Sequence, residues 1–232
     1  MVLNGKEMKS ILIVVAHPDD EVLGCGGTIA KLSDKGASIH VAFLADGVSS
    51  REDGIVAAKD LTSRRSAARK ACDILGIQDI FFGDFPDNRM DTIALLDIVK
   101  IVESLIEKYK PDTILTHHAG DLNIDHRQVH NAVITSCRPQ KGHSVKTLLF
   151  FEVPSSTEWQ TPGSGIAFEP NWFENISTTL DRKLEALNLY EMEIREWPHS
   201  RSQEGVEYLA KWRGAIVGVE AAEAFILGRH IK

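Results

Sequence analysis

One imidazole and three carboxylates come together where an apolar run of the sequence stops. Residues 11–16 read Ile-Leu-Ile-Val-Val-Ala, and His17, Asp19, Asp20 and Glu21 follow, interrupted by a single proline. Ionisable groups packed this closely destabilise one another unless a cation lies among them. Histidine together with aspartate suits a divalent metal, zinc first. The competing interpretation is an acidic turn that caps a helix, but such a cap needs one Asp and no His.

The apolar run predicts a strand that is buried on both faces. Its residues show no alternation of apolar and polar types, which is typical of the centre of a parallel sheet. Pro18 cannot donate to a sheet ladder, so the strand should end near it. Open α/β folds bind their ligands at the carboxyl ends of such strands. The acidic cluster is therefore expected on the edge of the sheet where a site would lie.

A second group of candidate ligands follows a later predicted strand. Residues 116–126 read Thr-His-His-Ala-Gly-Asp-Leu-Asn-Ile-Asp-His, and in a doubly wound sheet this loop lies on the same edge as the first cluster. A catalytic zinc has three protein ligands and one open position. His17 and Asp20 can supply two of them. His126 fits as the third, because the helix that follows would fix its backbone.

The other histidines are interpreted from their positions. His117 and His118 lie directly on the strand end, where they suit contacts to a metal ligand or to the substrate. His130 lies one turn beyond His126 on the same helix face and is interpreted as packed. His40 and His143 belong to no cluster and are expected to be structural.

The glycines at 24–27 come after the acidic cluster, inside the predicted helix. A dinucleotide-binding fingerprint would place its glycines between strand and helix, and here the pattern fails after the second glycine. We interpret these small residues as a surface that lets the helix pack close to the sheet.

Composition narrows the class of protein. The chain has 232 residues, is 43% hydrophobic and carries a net charge of −7. This balance is typical of a globular protein and predicts a single domain that spans residues 1–232. The acidic charge argues against nucleic acid or a membrane surface as partner, and no apolar stretch reaches the length of a membrane span. We see no signal peptide and expect a cytoplasmic protein. The three scattered cysteines fit neither a disulfide framework nor a Cys-rich zinc site, and we expect them to be buried.

Strand and helix patterns alternate over the first two thirds of the chain. Predicted strands cover 11–16, 38–44, 80–82, 113–116 and 146–153. Predicted helices cover 22–36, 60–75, 91–109, 126–137, 180–196 and 203–217, with a polar loop over 46–54. The alternation predicts an α/β fold with a single doubly wound, Rossmann-like, mostly parallel sheet. The last two helices are interpreted as a C-terminal helical cap over the active-site cleft.

The motifs resemble those of the zinc-dependent N-acetylglucosaminyl deacetylases of the PIG-L/LmbE family. The most specific feature is His-Pro-Asp-Asp at 17–20 after a buried strand, followed later by Asp-x-Asn-x-Asp-His at 121–126. Supporting features are the Arg-Arg pair at 64–65, the Phe-Pro-Asp turn at 85–87 and the segment 218–225. The resemblance runs across most of the chain. It implies that His17, Asp20 and His126 bind zinc, with another divalent metal as the alternative, and that Asp19 is the general base.

The resemblance also implies substrate contacts. Arg64 and Asp87 match positions that line the family's sugar pocket, and we group Asn123 and His118 with them as substrate-binding residues. The commoner family pattern is His-x-x-His where this chain has Asn123 at the first position. Because Asn cannot carry a proton, another residue must act as the acid, or Asn123 only donates a hydrogen bond. His199, in a short loop between two predicted helices, is the candidate acid, and an exposed loop histidine is the alternative.

Together these residues predict amide hydrolysis. Zinc lowers the pKa of a bound water from ~15.7 to ~7 and polarises a carbonyl, and Asp19 can accept the proton of that water. The leading prediction is removal of an acetyl group from an N-acetylated amino sugar or sugar conjugate, a small-molecule substrate. The alternatives are an amidase on a larger sugar-linked amide and a non-catalytic sugar or nucleotide-sugar binding module. The sequence leaves homo-oligomerisation open.

Overall fold

A computed structural model describes residues 2–3, 6–46 and 55–232 of the chain, with side chains over 8–46 and 61–232. The strands are β1 Val2–Leu3, β2 Lys6–Glu7, β3 Ser10–Val15, β4 Ser38–Ala45, β5 Asp79–Phe85, β6 Thr113–His117, β7 Thr147–Phe151, β8 Trp172–Asn175 and β9 Ala222–His230. The α-helices are α1 Asp20–Asp34, α2 Ile55–Leu75, α3 Leu95–Tyr109, α4 Ile124–Ser136, α5 Leu180–Asn188 and α6 Gln203–Val217. Short 3-10 helices cover Met90–Thr92 and Thr157–Trp159.

Seven strands form one mixed sheet in the order β5-β4-β3-β6-β7-β9-β8. All neighbours from β5 to β7 pair in parallel, whereas β9 pairs antiparallel with both β7 and β8. The strands β1 and β2 form a separate antiparallel pair. The predicted α/β fold with a mostly parallel sheet is confirmed.

Alternate residues of β3 face two separate apolar cores. Ile11, Ile13 and Val15 pack into a cluster with residues of α1, α2 and α5, while Leu12 and Val14 pack into a second cluster with residues of α3 and α4. All five side chains are at most 1% exposed. Helices therefore cover both faces of the sheet, which explains why the sequence of this strand is apolar without interruption.

The close approach of α1 to the sheet depends on its glycines. A Cβ atom added to Gly24 would collide with the ring of Phe151 on β7, and one added to Gly27 would lie 2.7 Å from Ile176 Cδ1. The helix also has a kink at Cys25, where the backbone is not helical. The interpretation of these glycines as a packing surface is confirmed. Cys25, Cys72 and Cys137 are all buried, as expected.

The structure differs from the predicted elements mainly in the last third. The strands β8 and β9 were not predicted, and α5 ends at Asn188, well before the predicted end at 196. In the first part, the start of the predicted helix 91–109 is instead a 3-10 turn, and α3 begins at Leu95. The predicted loop 46–54, apart from Asp46, lies outside the described residues.

The two C-terminal helices belong to the layers of the fold. The helix α5 packs against α1 and α2, and α6 packs against β9 and α5. The segment that reaches the site is the connection between them, because Arg201 contacts Asp19 at the start of α1. That these helices cap the cleft stays a prediction. Within the described part of the chain, no helix combines the length and the apolar character needed to cross a bilayer.

Candidate active site

The predicted metal ligands meet at the carboxyl ends of the central strands. His17 follows β3, Asp20 begins α1, and His126 lies in the first turn of α4, directly after the loop that leaves β6. Because β3 and β6 are parallel neighbours, their carboxyl ends lie on one edge of the sheet. The topology thus brings two motifs about a hundred residues apart in sequence to one place.

His17, Asp20 and His126 form a buried triad. One nitrogen or oxygen atom from each residue lies within 4.8 Å of the others. The Nε2 atom of His126 is 3.3 Å from Asp20 Oδ1, and Nδ1 of His17 is 3.5 Å from Asp20 Oδ2. Two imidazoles and one carboxylate are the donor set of a catalytic zinc site with a remaining open position.

A second acidic group shares His17. Its Nε2 atom lies 3.0 Å from Asp87 Oδ1 and 3.0 Å from Asp125 Oδ2. Asp125 is fully buried and accepts hydrogen bonds from the backbone N–H groups of Asn88 and Met90 at 2.6 and 2.9 Å. Since carboxylate oxygens only accept, Nε2 of His17 carries a proton, which leaves Nδ1 to face Asp20. A carboxylate behind a histidine in this way fixes the tautomer and orientation of a metal ligand.

The pKa values of the two triad histidines show that the pocket favours positive charge. Burial alone would lower the pKa of His126, but Asp20 and Asp121 outweigh it and raise the pKa to about 9. Burial likewise opposes the charged form of His17, yet Asp125, Asp20 and Asp87 raise its pKa well above the ordinary value. The same carboxylates that stabilise a protonated histidine would stabilise a divalent cation bound between these residues. The residues therefore fit a bound metal.

His117 supports the triad without joining it. Its Nε2 atom accepts a hydrogen bond from the backbone N–H of Ala16 at 2.9 Å, and its ring stacks on His126 with centroids 3.9 Å apart. Burial, followed by repulsion from His126, lowers the pKa of His117 well below its ordinary value. A neutral imidazole therefore forms one wall of the triad. Nδ1 of His130 donates to the backbone carbonyl of His117 at 2.9 Å, and the interpretation of His130 as packed agrees with this contact.

Asp19 and Asp20 are adjacent in sequence but their carboxylates have different partners. Asp20 Oδ2 accepts from the backbone N–H of His17 at 2.7 Å, within the triad. Asp19 Oδ2 instead accepts from Arg201 Nη1 at 3.3 Å. The backbone of Asp19 has φ 116°, in the left-handed region that aspartate enters only at some cost. This conformation separates the two carboxylates.

The surroundings of Asp19 raise its pKa. Burial is the main cause, the guanidinium of Arg201 opposes it, and the charge of Asp20 adds to it. Next to it, Glu21 accepts from the backbone N–H of Asp19 at 3.1 Å and from the Tyr190 hydroxyl at 2.6 Å. Burial raises the pKa of Glu21 to about 8, with the Tyr190 hydrogen bond opposing it. Glu21 thus holds the backbone of Asp19 rather than reaching the triad.

Asp121 anchors a further loop to the triad. Its Oδ1 atom is 3.1 Å from His126 Nδ1, and its Oδ2 atom accepts from Thr157 Oγ1 at 2.6 Å. The Ser156 hydroxyl also donates to Asp121. Asp121 lies in the loop 116–126, where candidate ligands were predicted. Ser156 and Thr157 belong to no motif in the sequence, so their contact with Asp121 was not predicted.

The predicted substrate-binding residues are placed around this centre. Arg64 is buried and forms an ion pair with Glu193, which also accepts from Arg201 Nη1 at 3.4 Å. Asp87 contacts His17, as described above, and is 4% exposed. Neither Arg201 nor Glu193 was recognised from the sequence.

Asn123, His118 and His199 each have a defined partner. Asn123 is the N-cap of α4, where its side chain accepts from the backbone N–H of Asp125 at 2.8 Å. His118 Nε2 lies 2.8 Å from the Ile166 carbonyl oxygen. His199 Nδ1 accepts from the backbone N–H of Arg201 at 3.0 Å. In the part of the chain that the structure describes, none of these three side chains contacts the triad. His199 is connected to Asp19 indirectly, because Arg201 contacts both residues.

A family model described as PIG-L, GlcNAc-PI de-N-acetylase, matches residues 12–137, more than half of the chain and the part that contains the whole triad. The chain belongs to the PIG-L family. The predicted family is confirmed, and deacetylation is the activity for which the PIG-L family is described. Arg201 and Glu193 lie outside the matched range.

The curated proteins that are similar to this chain include deacetylases and a hydratase. Diacetylchitobiose deacetylase of Thermococcus kodakarensis is 28% identical over 231 residues, covering 94% of this chain and 82% of that protein. The 4-oxalmesaconate hydratase of Pseudomonas putida is 33% identical over 127 residues, which is 51% of this chain and 47% of that protein. A solved structure of N,N'-diacetylchitobiose deacetylase from Pyrococcus horikoshii matches with a TM-score of 0.78 at 19% identity, over 96% of this chain and 85% of that one. The structural likeness supports the fold.

Proposed function

We propose that this PIG-L protein removes an acetyl group from an N-acetylated amino sugar by metal-dependent amide hydrolysis. The observation that carries the proposal is the buried triad of His17, Asp20 and His126, whose donor atoms lie within 4.8 Å of one another beside Asp19. Zinc is the first choice of metal, because two imidazoles and a carboxylate suit it best. A metal bound by this triad would act as a Lewis acid that polarises the acetamide carbonyl and makes a water more acidic.

Asp19 is the proposed general base. It lies next to the triad in sequence, yet its carboxylate is turned to Arg201 and so does not serve as a metal ligand in this arrangement. A carboxylate whose pKa is raised by burial holds an accepted proton more firmly than an exposed one does. The guanidinium of Arg201 acts against burial and lowers the pKa of Asp19. Asp19 can therefore take a proton from an attacking water.

His199 is the proposed donor of the proton that the leaving amine needs. Its Nδ1 atom accepts from the Arg201 backbone, so in the neutral ring the proton is on Nε2. The loop that carries it is tied to Asp19 by the Arg201 side chain. The competing arrangement is a dual role for Asp19, which would return the proton that it took from water.

The sugar itself would be held by residues around the triad. Arg64, Asp87, Asn123 and His118 keep the binding role proposed for them, with the difference that Asp87 also lies against His17. Asp87 contacts His17 through one carboxylate oxygen, and a carboxylate has further acceptor sites for a sugar hydroxyl, which supports this proposal. The side-chain oxygen of Asn123 is engaged at the helix N-terminus, and its Nδ2 group donates one N–H to Asn88 Oδ1 at 3.3 Å, which leaves the second N–H for a sugar hydroxyl.

Three alternative functions compete with this proposal. A larger sugar-linked amide would need the same triad, whereas a non-catalytic binding module would need neither the metal nor Asp19. Hydration is the third, because the hydratase relative has the higher local identity over half of this chain. The deciding experiment incubates the metal-loaded protein with N-acetylglucosamine, its methyl glycoside and a chitin disaccharide, and follows acetate and free amine by NMR. Metal is quantified on the same samples by mass spectrometry.

Equimolar release of acetate and amine by the metal-loaded protein, lost after chelation, is the expected result. Release by the chelated protein at the same rate would contradict the metal role. If the metal-loaded protein bound these sugars without releasing acetate, the hydrolase assignment would be wrong and the binding module would be favoured. An unsaturated carboxylic acid is assayed in parallel, and its turnover without acetate release from any of the sugars would favour hydration.

A further inference from the structure

We propose that the buried ion pair of Lys183 and Glu223 positions the metal ligand Asp20, by holding α1 in the bent form that brings this carboxylate to the triad. This role rests on the proposed function, in which His17, Asp20 and His126 bind the metal. It extends metal binding to two residues that belong to neither candidate metal group in the described part of the chain.

The helix α1 consists of two helical segments that meet at Cys25. The backbone of Cys25 has φ −150° and ψ 20°, outside the helical range. In an uninterrupted α-helix the N–H of Gly27 would donate to the carbonyl of Leu23. Here the Leu23 carbonyl accepts from Lys183 Nζ at 2.9 Å, and the Gly27 N–H donates to Glu223 Oε1 at 2.9 Å. The ion pair is therefore inserted into the backbone ladder of α1, which is a known cause of a sharp helix kink.

The two charged side chains match the backbone groups that the kink releases. Lys183 Nζ lies 2.6 Å from Glu223 Oε1, and Glu223 Oε2 accepts from the backbone N–H of Thr28 at 2.7 Å. Both charged side chains are only 4% exposed, and a buried ion pair is favourable only when further hydrogen bonds use its remaining donors and acceptors. The backbone of α1 supplies them. The ammonium group thus caps the carbonyl end of the first segment, and the carboxylate caps the N–H end of the second, as the helix dipoles favour.

Leu23 connects the ion pair to the residues of the site. Its N–H donates to the backbone carbonyl of Asp19 at 2.9 Å, while its own carbonyl accepts from Lys183. Asp20 begins the same segment, and its Oδ1 atom lies 3.3 Å from His126 Nε2. Because the first segment is a single short piece of helix, its direction sets where Asp19 and Asp20 lie.

The second segment of α1 is fixed by its own contacts. Gly27 packs so closely on β8's neighbouring residue Ile176 that an added Cβ atom would lie 2.7 Å from Ile176 Cδ1. Lys31 Nζ forms an ion pair with Glu174 Oε2 at 2.8 Å. Straightening of α1 would therefore displace the first segment, and Asp20 with it. The ion pair opposes this displacement, because it occupies the backbone groups that a straight helix would join.

The experiment compares two Lys-to-Met changes in contacts of α1. Lys183→Met removes the ammonium group between the two segments, whereas Lys31→Met, the matched control, removes an ion pair of the second segment only. The Kd for Zn²⁺ is measured by competition with a chromophoric chelator, and the geometry of the site by the visible absorption of the Co²⁺-loaded protein. Neither readout needs turnover. Urea denaturation of the metal-free proteins measures the free energy of unfolding separately.

We expect Lys183→Met to weaken Zn²⁺ binding by about 10- to 100-fold, the range for residues that orient metal ligands, and to change the Co²⁺ spectrum. Lys31→Met should keep the wild-type Kd and spectrum. Lys183→Arg, which keeps the positive charge, should restore part of the affinity. Glu223→Gln, which keeps the size of the side chain and removes its charge, should weaken Zn²⁺ binding as Lys183→Met does, and it decides the question if Lys183→Met does not fold.

The positioning role is overturned if Lys183→Met and Glu223→Gln lower the free energy of unfolding but keep the wild-type Kd and Co²⁺ spectrum. It is also overturned if Lys31→Met weakens Zn²⁺ binding equally, or if the wild type binds no Zn²⁺. If the wild type binds Zn²⁺ and releases no acetate from the N-acetylated sugars, the proposed function fails, and the ratio of the Zn²⁺ affinities still decides the role of the ion pair.

Discussion

Arg201 Nη1 lies 3.3 Å from Asp19 Oδ2, joining residues that are 182 positions apart in the chain. The same guanidinium contacts Glu193 at 3.4 Å and, through Nε, the Ser155 hydroxyl at 2.9 Å. Three segments of the chain therefore meet at one side chain beside the triad: the start of α1, the loop after β7 and the connection between α5 and α6. Arg201 is in a position to fix where the Asp19 carboxylate points and how strongly it holds a proton.

Replacing Arg201 by Met should lower kcat by at least ~10-fold, because a misplaced catalytic group is costly even at small displacements. Burial raises the pKa of Asp19 and Arg201 opposes this, so without Arg201 the pKa rises further. A base must be deprotonated to act, and the acid limb of the rate profile should therefore move to higher pH. Arg201→Lys should restore part of the rate by restoring the charge.

The matched control is Arg195→Met, because Arg195 is exposed on the same connection and its guanidinium donates to the nearby carbonyls of Met192 and Ile194. Its kinetics and pH profile should resemble those of the wild type. A wild-type profile in Arg201→Met would contradict the positioning role, even if the protein were less stable.

Asp19→Asn should keep the metal and lose the reaction. Asn is close to Asp in shape, and Asp19 contacts Arg201 rather than the triad, so metal binding should survive. Removal of a general base typically lowers the rate by ~10²–10⁴-fold. Metal content by mass spectrometry and acetate release are measured on the same preparation. Turnover near that of the wild type would remove Asp19 from the mechanism.

His126→Ala should strip the metal, because it removes one of three triad ligands. His130→Ala is the matched control on the same helix: it lies one turn on, contacts the His117 carbonyl and belongs to no candidate metal group. We expect far-UV circular dichroism to be unchanged in both variants and metal content to be lost only in the first. Full occupancy in His126→Ala would make the second group, His17 with Asp87 and Asp125, the better assignment.

The triad was predictable because its ligands lie in two contiguous motifs at the ends of neighbouring parallel strands. Asp125 could have been found the same way, since it precedes His126 and its buried carboxylate faces His17. Arg201 and Glu193 could not be predicted from the sequence, because each is a single charged residue outside any motif. The packing of α5 brings the segment that carries them to the side of Asp19. The strand β9 was missed for a related reason: its second half is only partly buried and lacks a clear pattern.

Stability should depend on pH through a histidine far from the triad. Burial lowers the pKa of His40, whose ring stacks on Tyr109 with centroids 4.1 Å apart. The unfolded chain therefore binds a proton at a higher pH than the folded chain does, so the contribution of His40 to stability is present above the unfolded value of ~6.5 and is lost as pH falls. The free energy of unfolding is measured by urea denaturation at pH 7.5 and at pH 5.5. Its decrease between the two pH values should be smaller in His40→Gln than in the wild type. An equal loss in both proteins would exclude His40 as a contributor.

The last prediction concerns the proton that the leaving amine requires. If His199 donates it, His199→Ala should lose most of kcat, because the leaving amine would then lack its proton donor. The KM should change less than kcat for the single sugar, since His199 would act mainly on the leaving group. His143→Ala serves as the control, because His143 binds the Ser136 carbonyl and belongs to no candidate metal group. Should His199→Ala keep the wild-type kcat, the proton would come from His117, from His118 or from a dual-role Asp19, whose carboxylate Arg201 contacts.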